Sequence, residues 1–143
     1  MNSPIIFHLA IPMVNAEATK KFYGDQLGAK IGRSNAHAII FDFYGSQLVA
    51  HSTPEKILPP KSIYPRHFGL IFTAEGAWFE LVGRCETHKI EFYQPPRLRF
   101  AGEITEHRTV FLQDPAYNIL EFKYYRHYEA IFGASDNVDI GDR

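Results

Sequence analysis

His8-Leu-Ala-Ile-Pro-Met13 and His67-Phe-Gly-Leu-Ile-Phe72 decide how this chain is read. Each is a short apolar run opened by a histidine. A histidine in an apolar strand costs the desolvation of its ring nitrogens unless something binds them. The recurrence therefore raises two questions, one about duplication and one about a ligand.

Working outward from His8, the alternation over residues 5–11 reads as a strand that Pro12 ends. Asn15 is the N-cap of a helix running to Gly28, with Phe22, Tyr23 and Leu27 at helical spacing and Gly28 as its stop. Strands follow over 29–33, 37–43 and 47–52, the last two joined by a turn at Gly45-Ser46. From His67 the same order restarts. A strand leads to a helix over 74–90 that puts Trp78, Leu81, Val82 and Cys85 on one face, and strands follow over 91–93, 108–113 and 119–124.

Between the two series, the proline-rich stretch 53–66 denies backbone donors to a continuing sheet and reads as a crossing linker. Each half is thus β-α-β-β-β, and matched element order is the mark of an internal repeat. The expected fold class is α+β: a single domain over 1–143 made of two duplicated βαβββ modules. Module one covers about 4–53, the linker 54–65, module two about 66–126 and a C-terminal tail 127–143. Residues 94–107 read as an irregular insertion, and the polar, acidic tail after Gly133 as frayed.

Composition narrows the function classes. A 45% hydrophobic and 15% aromatic content suits a packed core rather than disorder. A formal net charge of −1, with no Lys/Arg cluster, gives no electrostatic reason to expect nucleic acid or an anionic membrane as partner. Cys85 is the single cysteine, so an intrachain disulfide is excluded, and it reads as a small buried hydrophobe. With no basic-then-apolar leader and no apolar run near the roughly 18 residues that span a bilayer, a cytoplasmic protein is expected.

Three residues stand out chemically. His8 and His67 lie on the first strand of each half, and Glu121 lies mid-strand on the last, sharing a face with Ile119 and Lys123. Taken singly, such histidines are usually satisfied core or rim residues, and Glu121 would pair with an arginine such as Arg108. Taken together, two imidazoles and a carboxylate are what Fe(II) or Mn(II) needs if open positions are to remain, and Zn(II) or Ni(II) could bind them too.

Five phrases in order then give the chain a family look: His8-Leu-Ala-Ile-Pro12, Phe22-Tyr-Gly-Asp-Gln-Leu-Gly-Ala29, Gly45-Ser-Gln-Leu-Val-Ala-His51, Arg66-His-Phe-Gly69 and Asp114-Pro-Ala-Tyr-Asn-Ile-Leu-Glu-Phe-Lys123. Over about residues 5–125 the chain resembles the vicinal oxygen chelate superfamily, which includes glyoxalase I, extradiol dioxygenases, and fosfomycin and bleomycin resistance proteins. The last phrase is similar to that family's D-P-x-G-N-x-x-E hairpin, with Tyr117 at the usual glycine. Residues 45–52, 100–103 and 120–132 resemble the small single-domain extradiol-type dioxygenases.

The resemblance implies sheets curling around a metal, with His8, His67 and Glu121 as its ligands. Laying module one on module two places Val49 opposite Glu121, where glyoxalase-I-like members carry a fourth ligand. Val49 cannot bind a metal, but Gln47 and His51 lie on the same face roughly 6–7 Å to either side, so either could be a fourth ligand or a substrate contact. His107, His51 and His37 are candidate acid–base residues.

The expected activity is an extradiol-type dioxygenase acting with Fe(II) on a catechol-like small molecule. A Lewis-acid lyase, isomerase or thiol transferase on the same fold is the alternative, as is a metal-free binding protein of the bleomycin-resistance kind. The resemblance also implies a homodimer. Arg97, Arg99 and Arg108, in or beside the insertion, are either partners of Glu103 and Glu106 or contacts for an anionic substrate group.

Overall fold

The computed structural model describes residues 4–141. Module one is β1 (His8–Met13), α1 (Ala16–Lys20), β2 (Lys30–Ser34), β3 (Ala38–Phe43) and β4 (Ser46–Ser52). Module two is β5 (Phe68–Phe72), α2 (Glu75–Thr87), β6 (Phe92–Arg99), β7 (His107–Gln113) and β8 (Ile119–Tyr125). The sheets have the same strand order, β1-β4-β3-β2 and β5-β8-β7-β6. In each, the first strand lies parallel to the last and the other pairings are antiparallel. The duplication is therefore structural: the fold is α+β, two βαβββ modules.

One core joins them. Ile39, Phe41, Phe43 and Leu48 from the inner face of the first sheet pack in the same cluster as Val110, Leu112, Leu120 and Phe122 from the inner face of the second. Trp78, Leu81, Val82 and Cys85 of α2 are all buried there, as their helical spacing predicts. Burial pushes the Cys85 thiol up to about 11, so it is an inert apolar residue. Polar clasps cross the seam. Arg84 donates to the carbonyls of Gln26 (2.8 Å) and Asp25 (2.9 Å), and Asn118 Nδ2 donates to the Pro12 carbonyl (3.0 Å).

Because the modules meet through their inner faces and helices, the two open sheets do not close on a common cleft within one chain. Among the described residues no helix is long and apolar enough to cross a membrane.

Local departures have local causes. Asn15 caps α1, its side chain accepting from the Ala18 amide at 2.8 Å. The helix then widens to a π-turn over Lys21–Gln26, where the Leu27 amide reaches back to the Phe22 carbonyl at 3.0 Å. The strand expected over 91–93 extends to Arg99, so the irregular insertion shrinks to 100–106. Pro95 and Pro96 are tolerated because β6 is an edge strand, with register shifts on either side of Gln94.

Candidate functional site

Module two builds the site. Its turn, Asp114-Pro-Ala-Tyr-Asn118, is organised by one carboxylate: Asp114 Oδ1 accepts from the Ala116 and Asn118 amides, both at 2.8 Å. Asp114 Oδ2 takes the Tyr23 hydroxyl at 2.6 Å and Asn118 Nδ2 at 2.7 Å. Burial raises both the Asp114 carboxyl and, well above its usual range, the Tyr23 phenol. Tyr117, at the usual glycine of this turn, adopts the left-handed conformation such a glycine would take, with φ 65°. The turn delivers β8 in register with Glu121 at its centre.

On the other side of β8, Gly69 is opposite Glu121 in the β5–β8 ladder. A Cβ on Gly69 would sit 1.6 Å from the Glu121 carbonyl oxygen, so only glycine lets the strands approach. That approach brings His67 beside Glu121, with Nε2 3.1 Å from Oε1.

His67 Nδ1 donates to the Ile63 carbonyl at 2.7 Å, which fixes the tautomer and leaves Nε2 as an electron-pair donor. Glu121 Oε2 accepts from the Thr109 hydroxyl at 2.6 Å. Two electron-pair donors thus face each other beside the Lys123 ammonium, whose Nζ is 4.0 Å from the same Glu121 Oε1, and a proton or a metal fits between them. Their separation suits a metal: donors about 2.1 Å from one ion and at right angles are about 3.0 Å apart. Hydrogen bonds behind each donor, as here, are how proteins orient metal ligands. The pair therefore fits a divalent ion.

The third expected ligand is elsewhere. His8 is exposed on the outer face of module one, where its Nδ1 is 2.8 Å from Gln47 Oε1, an arrangement that again leaves Nε2 as the donor. Among the described residues no three His, Cys, Asp or Glu side chains gather closely enough to hold a metal. The structure thus brings His67 and Glu121 together and leaves His8 apart.

The registers Ala10–Val49 and Gly69–Glu121 make Val49 the equivalent of Glu121. Gln47 is beside His8, whereas His51 is opposite Pro12 and Ala38, two rows away. His37 is exposed at the edge of the same module, its Nδ1 3.3 Å from Ser52 Oγ. Neither His51 nor His37 lines the module-two cavity.

That cavity, about 410 Å³, lies over the outer face of the second sheet and contains His67, Glu121 and His107. Directly opposed residues of an antiparallel sheet share a face, so the pairings define rows. Glu121 is level with Phe111, Lys123 with Thr109 and Arg97, and Tyr125 with His107 and Arg99. His107 is buried, donates from Nδ1 to the Thr105 carbonyl at 3.0 Å, and has its ring centroid 4.9 Å from that of Tyr125. Burial, together with Lys123 and Arg99, holds its imidazole below the ordinary histidine range. His107 is thus neutral at neutral pH, as a general base must be.

Several lining groups escaped the sequence. Thr109 and Lys123 were accessible to it, each being two residues from a candidate, His107 or Glu121. The Ile63 carbonyl has no sequence signal. The tail, expected to fray, instead crosses the cavity: Ile131, Asn137 and Asp139 line it, and the Gly141 carbonyl accepts from Arg99 Nη2 at 3.1 Å. Asp142 and Arg143 lie outside the described residues. Arg108 is not the partner of Glu121. It pairs with Glu75 of α2 at 3.0 Å and stacks on Phe79, while Glu106 pairs with Arg126.

The family model described as the Glyoxalase/Bleomycin resistance protein/Dioxygenase superfamily matches residues 5–122. Among solved structures, a glyoxalase/bleomycin resistance protein/dioxygenase from Alicyclobacillus acidocaldarius is 39% identical with a TM-score of 0.85, over 92% of this chain and 98% of that one. A lactoylglutathione lyase from Agrobacterium tumefaciens has 18% identity and a TM-score of 0.66, covering 93% and 99%. The fosfomycin resistance protein FosX from Listeria monocytogenes has 16% identity and a TM-score of 0.65, covering 91% and 98%. These last two share the fold. No curated protein matches.

Proposed function

Since the chain belongs to the glyoxalase/bleomycin resistance protein/dioxygenase superfamily, we propose that it is a metal-dependent enzyme centred on His67 and Glu121. The carrying observation is the pair of braced electron-pair donors facing each other at 3.1 Å. In this reading the centre is completed across a homodimer. A second copy of the chain supplies its His8, which the outer face of module one leaves exposed alongside Ala10 and Pro12. Gln47 then holds the His8 ring as Ile63 holds that of His67.

Two histidines and a carboxylate favour Fe(II), with Mn(II), Zn(II) or Ni(II) as substitutes. Val49, at the position equivalent to Glu121, adds no fourth donor. The favoured activity is accordingly an extradiol-type dioxygenase acting on a catechol-like aromatic. Fe(II) held by these residues would supply the Lewis-acid and electron-transfer chemistry that such a ring cleavage needs. The chain does the rest: Ile63 and Thr109 orient the donors, Phe111 and Phe100 offer flat apolar wall, and His107 accepts a proton from the substrate. A cytoplasmic, reducing setting suits both Fe(II) and the lone buried thiol.

One observation favours a second reading. Gln47 holds its amide oxygen on the Nδ1 side of His8; turned from that contact onto the metal it would be a fourth donor, which would suit Lewis-acid lyase, isomerase or thiol-transferase chemistry, with Zn(II) or Ni(II).

The test is metal content after anaerobic incubation with mixed Fe(II), Mn(II), Zn(II) and Ni(II), with His67→Ala as control, followed by oxygen uptake on catechols. Stoichiometric Fe(II), lost in His67→Ala, together with uptake supports the dioxygenase. Zinc or nickel without uptake moves the assignment to Lewis-acid chemistry. No metal in either protein leaves a binding protein of the bleomycin-resistance kind.

A further inference from the structure

The module-two cavity is roofed by the chain's own C-terminal segment. Beyond β8 the chain makes a single 3-10 turn, Tyr128–Ala130, and the described residues after it hold no regular structure. Ile131, Asn137, Asp139 and Gly141 nevertheless line the same cavity as His67, Glu121 and His107. A segment that merely ran past a pocket would have no fixed ends. This one is fixed at both.

At the near end the chain turns back on itself. The Gly133 amide donates to the Glu129 carbonyl at 2.9 Å, and a Cβ on Gly133 would sit 2.7 Å from that oxygen, so only glycine permits the approach. Ala134 follows in the left-handed region, at φ 55°, and its carbonyl accepts from the Asn137 amide at 2.9 Å.

At the far end Gly141 is seated between two walls. Its carbonyl accepts from Arg99 Nη2 of β6 at 3.1 Å. On its other side a Cβ, already strained at φ 71°, would collide with the Tyr64 hydroxyl. The Tyr64 ring lies edge-on to that of His67, with centroids 6.2 Å apart, so the seat adjoins one of the two donors.

Between these anchors the segment is held by little. Phe132, Val138 and Ile140 are 91%, 84% and 86% exposed, so they contribute almost nothing to closure. Segments that bury so little open at low free-energy cost while the scaffold beneath them stays folded. A weakly held span with defined ends is the construction of a lid.

We infer that residues 133–141 form a strap that hinges at Gly133 and Ala134, latches at Gly141 on Arg99 and Tyr64, and gates entry to the cavity. Closed, it shields the cavity from water; open, it admits a ligand. The inference rests on the function proposed above only in taking His67 and Glu121 as the reacting end. The gating itself needs no metal.

Carbethoxylation of the full, metal-free chain with diethyl pyrocarbonate, followed at each histidine by mass spectrometry, tests it. His107 is buried under the strap and is the stricter reporter, His67 the second; the exposed His37 and His51 of module one are controls. Gly141→Ala sets a Cβ against Tyr64 and unseats the latch, and Gly133→Ala does the same at the hinge. In each variant the rates at His107 and His67 should rise about tenfold over wild type, with His37 and His51 unchanged. Thermal unfolding shows that each variant is folded, and either serves if the other is not.

An unmoved His107 in the folded variants overturns the inference. So does equal acceleration at all four histidines, which is general loosening, or a wild-type His107 already as reactive as His51. The two proposals fail separately. A gated cavity in a protein that takes up no metal removes the enzyme reading alone, and a metal-binding protein whose histidines ignore both variants removes this one alone.

Discussion

His67 and Glu121 face each other at 3.1 Å, each held from behind, one by a backbone carbonyl and the other by a threonine hydroxyl. The brace on Glu121 is the easier one to remove. Thr109→Val keeps the shape of a buried side chain and deletes the 2.6 Å hydrogen bond. Metal binding, measured by competition with a chromogenic chelator, should weaken about 10–100-fold, the usual cost of losing such a supporting contact. Unchanged affinity would mean that the pair does not hold the metal.

His8 belongs to the other module's outer face, so a shared centre has a consequence that a self-contained one lacks. His8→Ala and His67→Ala should each abolish metal-dependent activity. Mixed under conditions that exchange subunits, they form hybrid dimers with one intact site and one doubly defective site. Random exchange should restore roughly a quarter of wild-type activity. If the mixture stays inactive although mass spectrometry shows hybrids, the centre is not shared in this way.

His107 gives a pH signature whose sign is determined. Its folded pKa lies below the ordinary value of about 6.5 because burial, Lys123 and Arg99 all disfavour the cation. The stability it contributes is therefore fully present above the unfolded pKa and is lost as pH falls through the window down to the folded pKa. Urea unfolding at a series of pH values should show wild type losing more stability than His107→Gln below about pH 6.5, with parallel behaviour above it. If His107 is the base, the acid limb of activity also lies below that pH. Arg99→Gln should shift the limb upward by removing one of the charges that hold the pKa down.

How much of this could be read beforehand follows from where each signal lies. The duplication was legible because apolar periodicity survives in both halves, and Glu121 with Lys123 on one face needed only strand alternation. The extension of β6 was hidden by Pro95 and Pro96, which argue against a strand unless its edge position is known. The separation of His8 from His67 depends on which faces the modules bury against each other. Equivalent strands in the two modules say nothing about that. The Ile63 carbonyl and the Gly141 carbonyl are backbone groups, present at every residue, and only tertiary structure singles them out.

Two backbone positions around Glu121 should respond in opposite directions to substitution. Gly69→Ala puts a methyl group where the Glu121 carbonyl oxygen already is, at 1.6 Å, and neither strand can yield without breaking the β5–β8 ladder. It should cost about 1–3 kcal/mol or more and weaken metal binding with it, because the displaced strand carries His67 away from Glu121. Tyr117→Gly acts the other way. Tyr117 has φ 65° and is 41% exposed, so the change relieves left-handed strain with little burial lost. Part of the gain is offset by the greater freedom of glycine in the unfolded chain. A net stabilisation of about 0.5–1 kcal/mol is expected from urea midpoints at unchanged slope. A destabilised Tyr117→Gly would show that the tyrosine ring, and not the turn conformation, is what this position supplies to the hairpin that carries Glu121.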